Sequence, residues 1–435
     1  MSACAALLCR PAPAEAPPGA VQDLVGTTAE WSLHTQATYI DQVNGSFPAA
    51  YDGPNSFGSR SEEEHTFSFS LYLGRRLWGG FEVFCDPEVF QGHGLSQTLG
   101  IAGFPNGEAV KSGYANLHLN VSRLFVRKVI GLGGAKEKIE EAANQFGGEE
   151  EINRLVFSAG TFSADDYFDD NPYSHDPRTQ FMNWAMWESA AWDYPADIVG
   201  FTAGAVAEWN MPDCEWHFGV FMEPHEANGL RPDPHIDKAH SEVLQYDRRY
   251  SLGGFPGTVR AFVYWNEANM GSYAEAASQA APENVTLTRA YRSKAGVGVS
   301  WDQQLTDALG GFVRLSWNDG HAESFTFTEI DESIAAGLAW SGKAWGRPGD
   351  TAGVSLAVDG ISSEHRHYLA EGGTGLILGD GALAYAPEEI LEVYYAFQAT
   401  RWLQLGPDVQ YIRNPGYNSA RGPVPVCAIR AHVEF

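Results

Sequence analysis

The chain has 435 residues, and its 55 acidic against 28 basic side chains give a formal charge of -27 with no block of Lys and Arg, which excludes nucleic acid as a partner. Its longest apolar runs, such as residues 296–301, fall far short of the roughly 18 residues that a helical membrane span needs. A hydrophobic fraction of 44%, spread thinly and accompanied by 13% aromatic residues and 47 glycines, suits many half-apolar strands better than a few buried helices.

At the start of the chain, the apolar patch over residues 3–9 followed by Pro11-Ala12-Pro13-Ala14-Glu15-Ala16 reads as the tail of a secretory signal without its basic n-region. Residues 1–28 are accordingly assigned to a leader and N-terminal segment, with maturation near Ala16. The five cysteines, Cys4, Cys9, Cys85, Cys214 and Cys427, show no CxxC spacing, so neither a disulfide framework nor a zinc site is indicated. No cofactor motif is present.

From residue 29 onward, apolar residues recur at every second position. Phe67, Phe69, Leu71 and Leu73 alternate with Ser68, Ser70 and Tyr72. Val259, Ala261, Val263 and Trp265 alternate with Arg260, Tyr264 and Asn266, and Leu391, Val393, Tyr395, Phe397 and Ala399 with Glu392, Tyr394, Gln398 and Thr400. In the last strand, Cys427, Ile429, Ala431, Val433 and Phe435 occupy one phase and Arg430, His432 and Glu434 the other. Such alternation puts one face of each strand in lipid and the other in water, and stretches of about 9 to 11 residues cross a bilayer at barrel tilt.

Sixteen such strands are predicted, over residues 29–41, 64–76, 79–89, 120–130, 153–162, 199–209, 214–223, 241–251, 257–267, 295–303, 310–318, 332–342, 350–359, 389–400, 403–412 and 424–435. The fold class is therefore all-β, an antiparallel transmembrane β-barrel over residues 29–435. Even-numbered connections are short periplasmic turns (Leu77-Trp78, residues 210–213 and 252–256, Arg401-Trp402), and odd-numbered ones are long external loops. Residues 131–152 break that rule; their Lys- and Glu-rich centre predicts a short periplasmic helix. Trp78, Trp209 and Trp402, beside short turns, fit an interfacial aromatic belt. A terminal aromatic closing the last strand, Phe435, resembles the signal read by the barrel assembly machinery. The acidic surface is either merely solvated or binds divalent cations and, through them, lipopolysaccharide.

Candidate functional residues lie in the polar phase of the strands and in the connection over residues 163–198. Glu82, Asp86 and Glu88 share one phase of the third strand and Arg123 and Arg127 one phase of the fourth, so that opposed charges are expected to set a transverse field across a narrow lumen. The long connection holds Asp169, Asn171, Tyr173, His175, Asp176, Arg178, Asn183, Trp184, Trp187 and Trp192, a mixture of hydrogen-bonding and aromatic stacking groups. Connections this long usually have a role. Glu364-His365-Arg366-His367 resembles a metal cluster but lacks a ligand framework, and the glycine-rich segment 372–379 lacks phosphate-loop spacing.

Across the region from Trp31 to Phe435 the chain resembles the carbohydrate-selective porins of the OprB type. The resemblance rests on Gly94-Leu95-Ser96-Gln97-Thr98-Leu99-Gly100 with Ala102-Gly103-Phe104-Pro105-Asn106-Gly107, and on Phe168-Asp169-Asp170-Asn171-Pro172-Tyr173-Ser174-His175-Asp176-Pro177-Arg178-Thr179-Gln180-Phe181. Met270-Gly271-Ser272-Tyr273, Trp317-Asn318-Asp319-Gly320 and residues 325–331 add to it. It implies a sixteen-stranded outer-membrane barrel whose inward-folded loops narrow the lumen for passive passage of small sugars. Thr161 stands where the family is expected to carry a lysine, a departure that changes pore charge. Two other readings remain: a general unselective porin, and a secreted all-β glycan-binding protein or hydrolase.

Overall fold

A computed structural model describes residues 26–28, 30–109, 113–279, 284–327 and 329–435. The proposed leader lies, through residue 25, outside the described residues. One antiparallel sheet holds seventeen segments, one of them the two-residue Gly26–Thr27. The other sixteen are β1 (Trp31–Asn44), β2 (Glu62–Arg76), β3 (Phe81–Gly92), β4 (Tyr114–Gly131), β5 (Arg154–Phe162), β6 (Thr202–Asn210), β7 (Cys214–Met222) and β8 (His240–Leu252), followed by β9 (Phe255–Met270), β10 (Ala290–Thr306), β11 (Leu309–Asn318), β12 (Glu332–Ser341), β13 (Thr351–Gly360), β14 (Glu388–Gln398), β15 (Leu403–Arg413) and β16 (Val424–Glu434). Each pairs with its chain neighbours, and β16 pairs with β1 from Val426↔Asn44 to Glu434↔Gln36, which closes the ring. Phe435 extends that seam, exchanging backbone hydrogen bonds of 2.9 and 3.0 Å with Thr35. Closure gives each of the sixteen strands a partner on both sides over part of its length, as lipid requires.

Burial follows the sequence alternation, inverted relative to a water-soluble sandwich. In β16, Ile429 is 65% exposed on the outside while Arg430 is 2% exposed inside. The same holds in β9, where Val259, Val263 and Trp265 face out and Arg260, Phe262, Tyr264 and Asn266 are buried. Trp78, Trp209 and Trp402 are exposed beside short turns. At one rim β8 and β9 are joined by Gly253-Gly254, both at positive φ (62° and 90°), a backbone shape that glycine adopts without Cβ strain. At the other rim the connections span residues 45–61, 93–113, 163–201, 223–239, 271–289, 319–331, 361–387 and 414–423.

Two features differ from the sequence expectation. The predicted helix within residues 131–152 is a two-stranded hairpin, Lys136–Ile139 against Gly148–Glu151. Its Lys and Glu residues favour helix in isolation, but tertiary contacts of the hairpin tip, described below, override propensity. The barrel interior also contains an apolar core: Phe84, Phe125, Phe162, Phe221, Phe262, Phe312 and Tyr394 of the wall pack against Phe168, Phe181, Trp184, Trp192 and Tyr194 of the connection 163–201. That loop therefore folds into the lumen and is seated by hydrophobic contact as well as by polar bonds.

Candidate functional site: the lumen constriction

The inward loop winds along much of the inner wall. Its start is capped by Ser163 and Asp166 around a short turn, Ala164–Asp166. Asp169, in a left-handed conformation (φ 56°), accepts from Arg314 of β11 at 3.1 Å and from the Ser189 N–H at 2.5 Å. Asn171 donates to Ser300 of β10 at 3.1 Å. Further along, Glu392 of β14 accepts the N–H groups of Met182 (2.5 Å) and Asn183 (3.2 Å), and Arg430 of β16 donates to the Pro177 (2.6 Å) and Gln180 (2.8 Å) carbonyls. Lys294 of β10 meets Asp193 at 3.0 Å, and Asp193 also accepts the N–H groups of Phe325 and Thr326 from another external loop.

A second inward segment, residues 94–109, is knitted to the first. Trp184 N–H donates to the Phe104 carbonyl (3.1 Å), Gly107 N–H to that of Met182 (2.8 Å), and the Asn183 amide to that of Gly103 (2.7 Å). Glu388 receives the Ala102, Gly103 and Gly416 N–H groups at 2.7 to 3.2 Å. The two most specific motif stretches of the sequence are thus neighbours, each holding the other in the lumen.

The charged residues singled out from β3 and β4 sit side by side on one patch of wall, because these strands pair with Glu82↔Arg127 and Asp86↔Arg123 in register. This corrects the expectation of opposed charges across the lumen. A register shift at Asp86/Pro87 lets proline, which has no N–H, sit inside the strand. Glu82 meets Arg127 at 3.0 Å and Arg76 at 3.4 Å. Glu88 accepts Ser70 and Ser122 (2.7 Å each) and Arg178 of the inward loop at 2.9 Å. Arg178 also reaches Glu108 (2.7 Å) and the Tyr72 hydroxyl (3.2 Å). Arg123 forks onto Asp166 of the inward loop at 2.7 and 2.5 Å and lies 3.8 Å from Asp86. The Arg123, Arg127 and Arg178 side chains keep 15 to 20% of their surface exposed inside the barrel.

The remaining candidates divide. Tyr173 is buried against Gly310, and His175 is half-buried with an Nδ1 that has no hydrogen-bond partner. Asp176 is spent on the local turn, accepting Arg178 N–H and the Thr179 hydroxyl. Trp187 is half-buried beside Gly107. Trp184 is 0% exposed, stacked between Phe104, Tyr194 and Phe327 at 5.2 to 5.9 Å, so its ring is closed to a passing solute and seats the loop instead. Asp166, Tyr72 and Glu108 went unnoticed in the sequence, although Tyr72 stood in the inward phase of β2.

The weaker motifs resolve as structural. Glu364 of the His-containing segment pairs with His321 (3.0 Å), whereas His365 is buried between Asp331 (3.2 Å) and Glu329 (3.6 Å). The glycine-rich segment wraps an internal carboxylate: Ile377 and Leu378 N–H groups both donate to Glu329 at 2.7 Å. Among the described residues Glu208, Glu215 and His217 have donor atoms close enough for a metal ion. Arg249, 3.0 Å from Glu215, and Arg260, 3.7 Å from neighbouring Asp247, already balance carboxylates there, which makes the cluster an ion-pair patch of the wall.

The carbohydrate-selective porin family, OprB, matches residues 61–435. Among solved structures, the high-pH form of Pseudomonas putida OprB superposes with a TM-score of 0.70 at 17% identity, covering 93% of this chain and 94% of that one. The DcaP outer-membrane channel of Acinetobacter baumannii superposes with a TM-score of 0.52 at 9% identity over 94% and 99% of the two chains. No curated protein sequence matches. With the closed barrel, the lumen narrowed from outside and the family match over most of the chain, this protein belongs to the OprB family of carbohydrate-selective porins, channels of the bacterial outer membrane.

Proposed function

We propose that sugars diffuse passively past the wall patch of β2 to β4, where Arg123, Arg127 and Arg178 with Glu82, Glu88 and Tyr72 exchange hydrogen bonds with their hydroxyls. The observation that carries this reading is the partial exposure of those arginines inside a barrel whose other loop anchors are sealed. A guanidinium offers forked donors and a carboxylate offers acceptors, the two roles a hydroxyl complements. Because each charge is already paired, a sugar bond replaces a protein bond of similar strength, and binding stays weak enough for release. No bond is made or broken in such passage. His175 and Trp187 border the path, while Asp169, Asn171, Tyr173, Asp176 and Trp184 position the loop.

Outside the pore we infer three further roles. The apolar stretch ahead of Ala16 acts as an export leader, Phe435 is read by the barrel assembly machinery, and the acidic external surface binds lipopolysaccharide through divalent cations.

The test is single-channel recording with candidate sugars. Arg127→Ala and Arg178→Ala are each expected to weaken sugar block of the ion current by several-fold and to shift ion selectivity, since each removes a donor fork and a positive charge. Unchanged block in both folded variants moves the sugar site elsewhere, and absence of block in the parent leaves an unselective porin.

A further inference from the structure

The hairpin between β4 and β5 is a long connection at the rim of short turns, and its tip turns back into the barrel. Phe146 at the tip is 1% exposed, with its ring 5.7 Å from that of Phe84 and the Arg76 guanidinium 4.5 Å above it. Arg76 also donates to the Gly147 carbonyl at 3.1 Å. Glu141 lies 3.3 Å from His34 of β1, so the tip spans from β4 and β5 across β3 and β2 to β1. The stalk is held by Arg154, which meets Glu137 at 2.6 Å and Glu150 at 3.1 Å, and Glu150 stands 4.0 Å from Arg127.

One contact ties this hairpin to the sugar path. Asn144, in a left-handed conformation (φ 57°), donates its amide to Asp86 Oδ2 at 2.6 Å. The same oxygen lies 3.8 Å from Arg123, whose guanidinium forks onto Asp166 of the external inward loop. Asp86 is 1% exposed, its Oδ1 has no hydrogen-bond partner, and neither has Asn144 Oδ1. A buried carboxylate oxygen left unpaired costs free energy until a donor reaches it, so this acceptor is poised for a ligand hydroxyl.

We propose that the hairpin tip, residues 141–147, is a second selectivity element at the periplasmic end of the pore, in which Asn144 occupies a sugar-hydroxyl subsite formed by Asp86 and Arg123 and gives way to a passing sugar. The proposal rests on the sugar path described above and adds an inner gate to it. A sugar hydroxyl donating to Asp86 replaces the amide of Asn144 in kind, so displacement exchanges one hydrogen bond for another, whereas an apolar solute leaves Asp86 and Asn144 unpaired. Phe146 on Phe84 returns the tip once the sugar has left.

Two variants test it: excision of residues 136–151 in favour of Gly-Gly, and the double substitution Asn144→Ala with Phe146→Ala. Folding of each is checked by the mobility shift between unheated and boiled protein. Single-channel conductance is expected to rise about twofold on excision and by less in the double variant, because conduction follows the narrowest lumen. In liposome swelling, the rate for maltotriose relative to glucose is expected to rise in both. A folded excision variant with the parent's conductance and sugar ratio overturns the proposal. Arg178→Ala, which does not touch the hairpin, is measured alongside. Weakened sugar block there with no effect of excision refutes the inner gate alone, and an effect of excision with unchanged block in Arg178→Ala supports the gate while refuting the external path.

Discussion

At the scale of single residues, many of the lumen's buried charges are held in ion pairs. Arg314 and Asp169 are almost wholly buried, and the Arg314 guanidinium also donates to the Met186 and Asp169 carbonyls at 2.8 and 3.0 Å. Removing one member of such a pair leaves an uncompensated charge at a cost of about 3–5 kcal/mol. Arg314→Ala is therefore expected to unseat the inward loop, giving noisier and larger single-channel currents and new protease cleavage within residues 163–201. His365 in the external helix Ser363–Ala370 makes a second case. Burial opposes its charge, but Asp331 and Glu329 outweigh burial and raise its pKa above the ordinary imidazole value of 6.5. Burial alone pushes the Asp331 carboxyl up, but His365, Lys294 and the Ser362 N–H together hold it below the ordinary aspartate value of 3.8. The stability from His365 is fully present below pH 6.5 and is lost as pH rises through the raised folded value; that from Asp331 is present above pH 3.8 and is lost as pH falls through the depressed one. Hydrogen exchange across residues 363–370 is expected to quicken at alkaline pH beyond its intrinsic pH dependence, and His365→Gln is expected to lose that extra step.

At the scale of elements, the last strand does two things. It closes the ring against β1, and its terminal aromatic stacks on Trp402 at 5.8 Å beside the periplasmic rim. Phe435→Asp is expected to abolish outer-membrane insertion with synthesis intact, as read by fractionation and surface labelling; normal membrane levels of that variant would remove Phe435 from any assembly role. All sixteen strands were legible from period-two alternation, because lipid on one side and polar lumen on the other force every strand to show it. The ends of β9 and β10 were not, since polar residues such as Glu267, Asn269 and Ser293 take the outward phase there; the start of β4 was legible in Leu117 and Leu119 alternating with His118 and Asn120, although the predicted strand began only at Asn120. The inner hairpin escaped notice for a related reason: Lys136–Ile139 and Gly148–Glu151 are too short and too charged to alternate, and Phe146 reads as an isolated aromatic until its pocket is known.

For the molecule as a whole, closure gives each of the sixteen strands two paired neighbours and makes the barrel one cooperative unit. Unheated protein in mild detergent is expected to migrate apart from boiled protein on denaturing gels, and full solubility after detergent removal would contradict the lipid-facing surface of Val263, Leu356, Val409 and Ile429. By itself the sequence determined the strand count, the face each strand turns to lipid, the rim to which long and short connections belong, and the family, because all of these follow from local periodicity and contiguous motifs. Only the tertiary structure decided that Glu82 and Arg127 are neighbours on one wall, that Trp184 is sealed in an aromatic stack, and that a hairpin enters from the periplasmic side. Those facts depend on pairings between residues far apart in the chain, such as Asn144 with Asp86 and Arg178 with Glu88, and on how much of the lumen the loops leave open; neither quantity has a signature along a single strand.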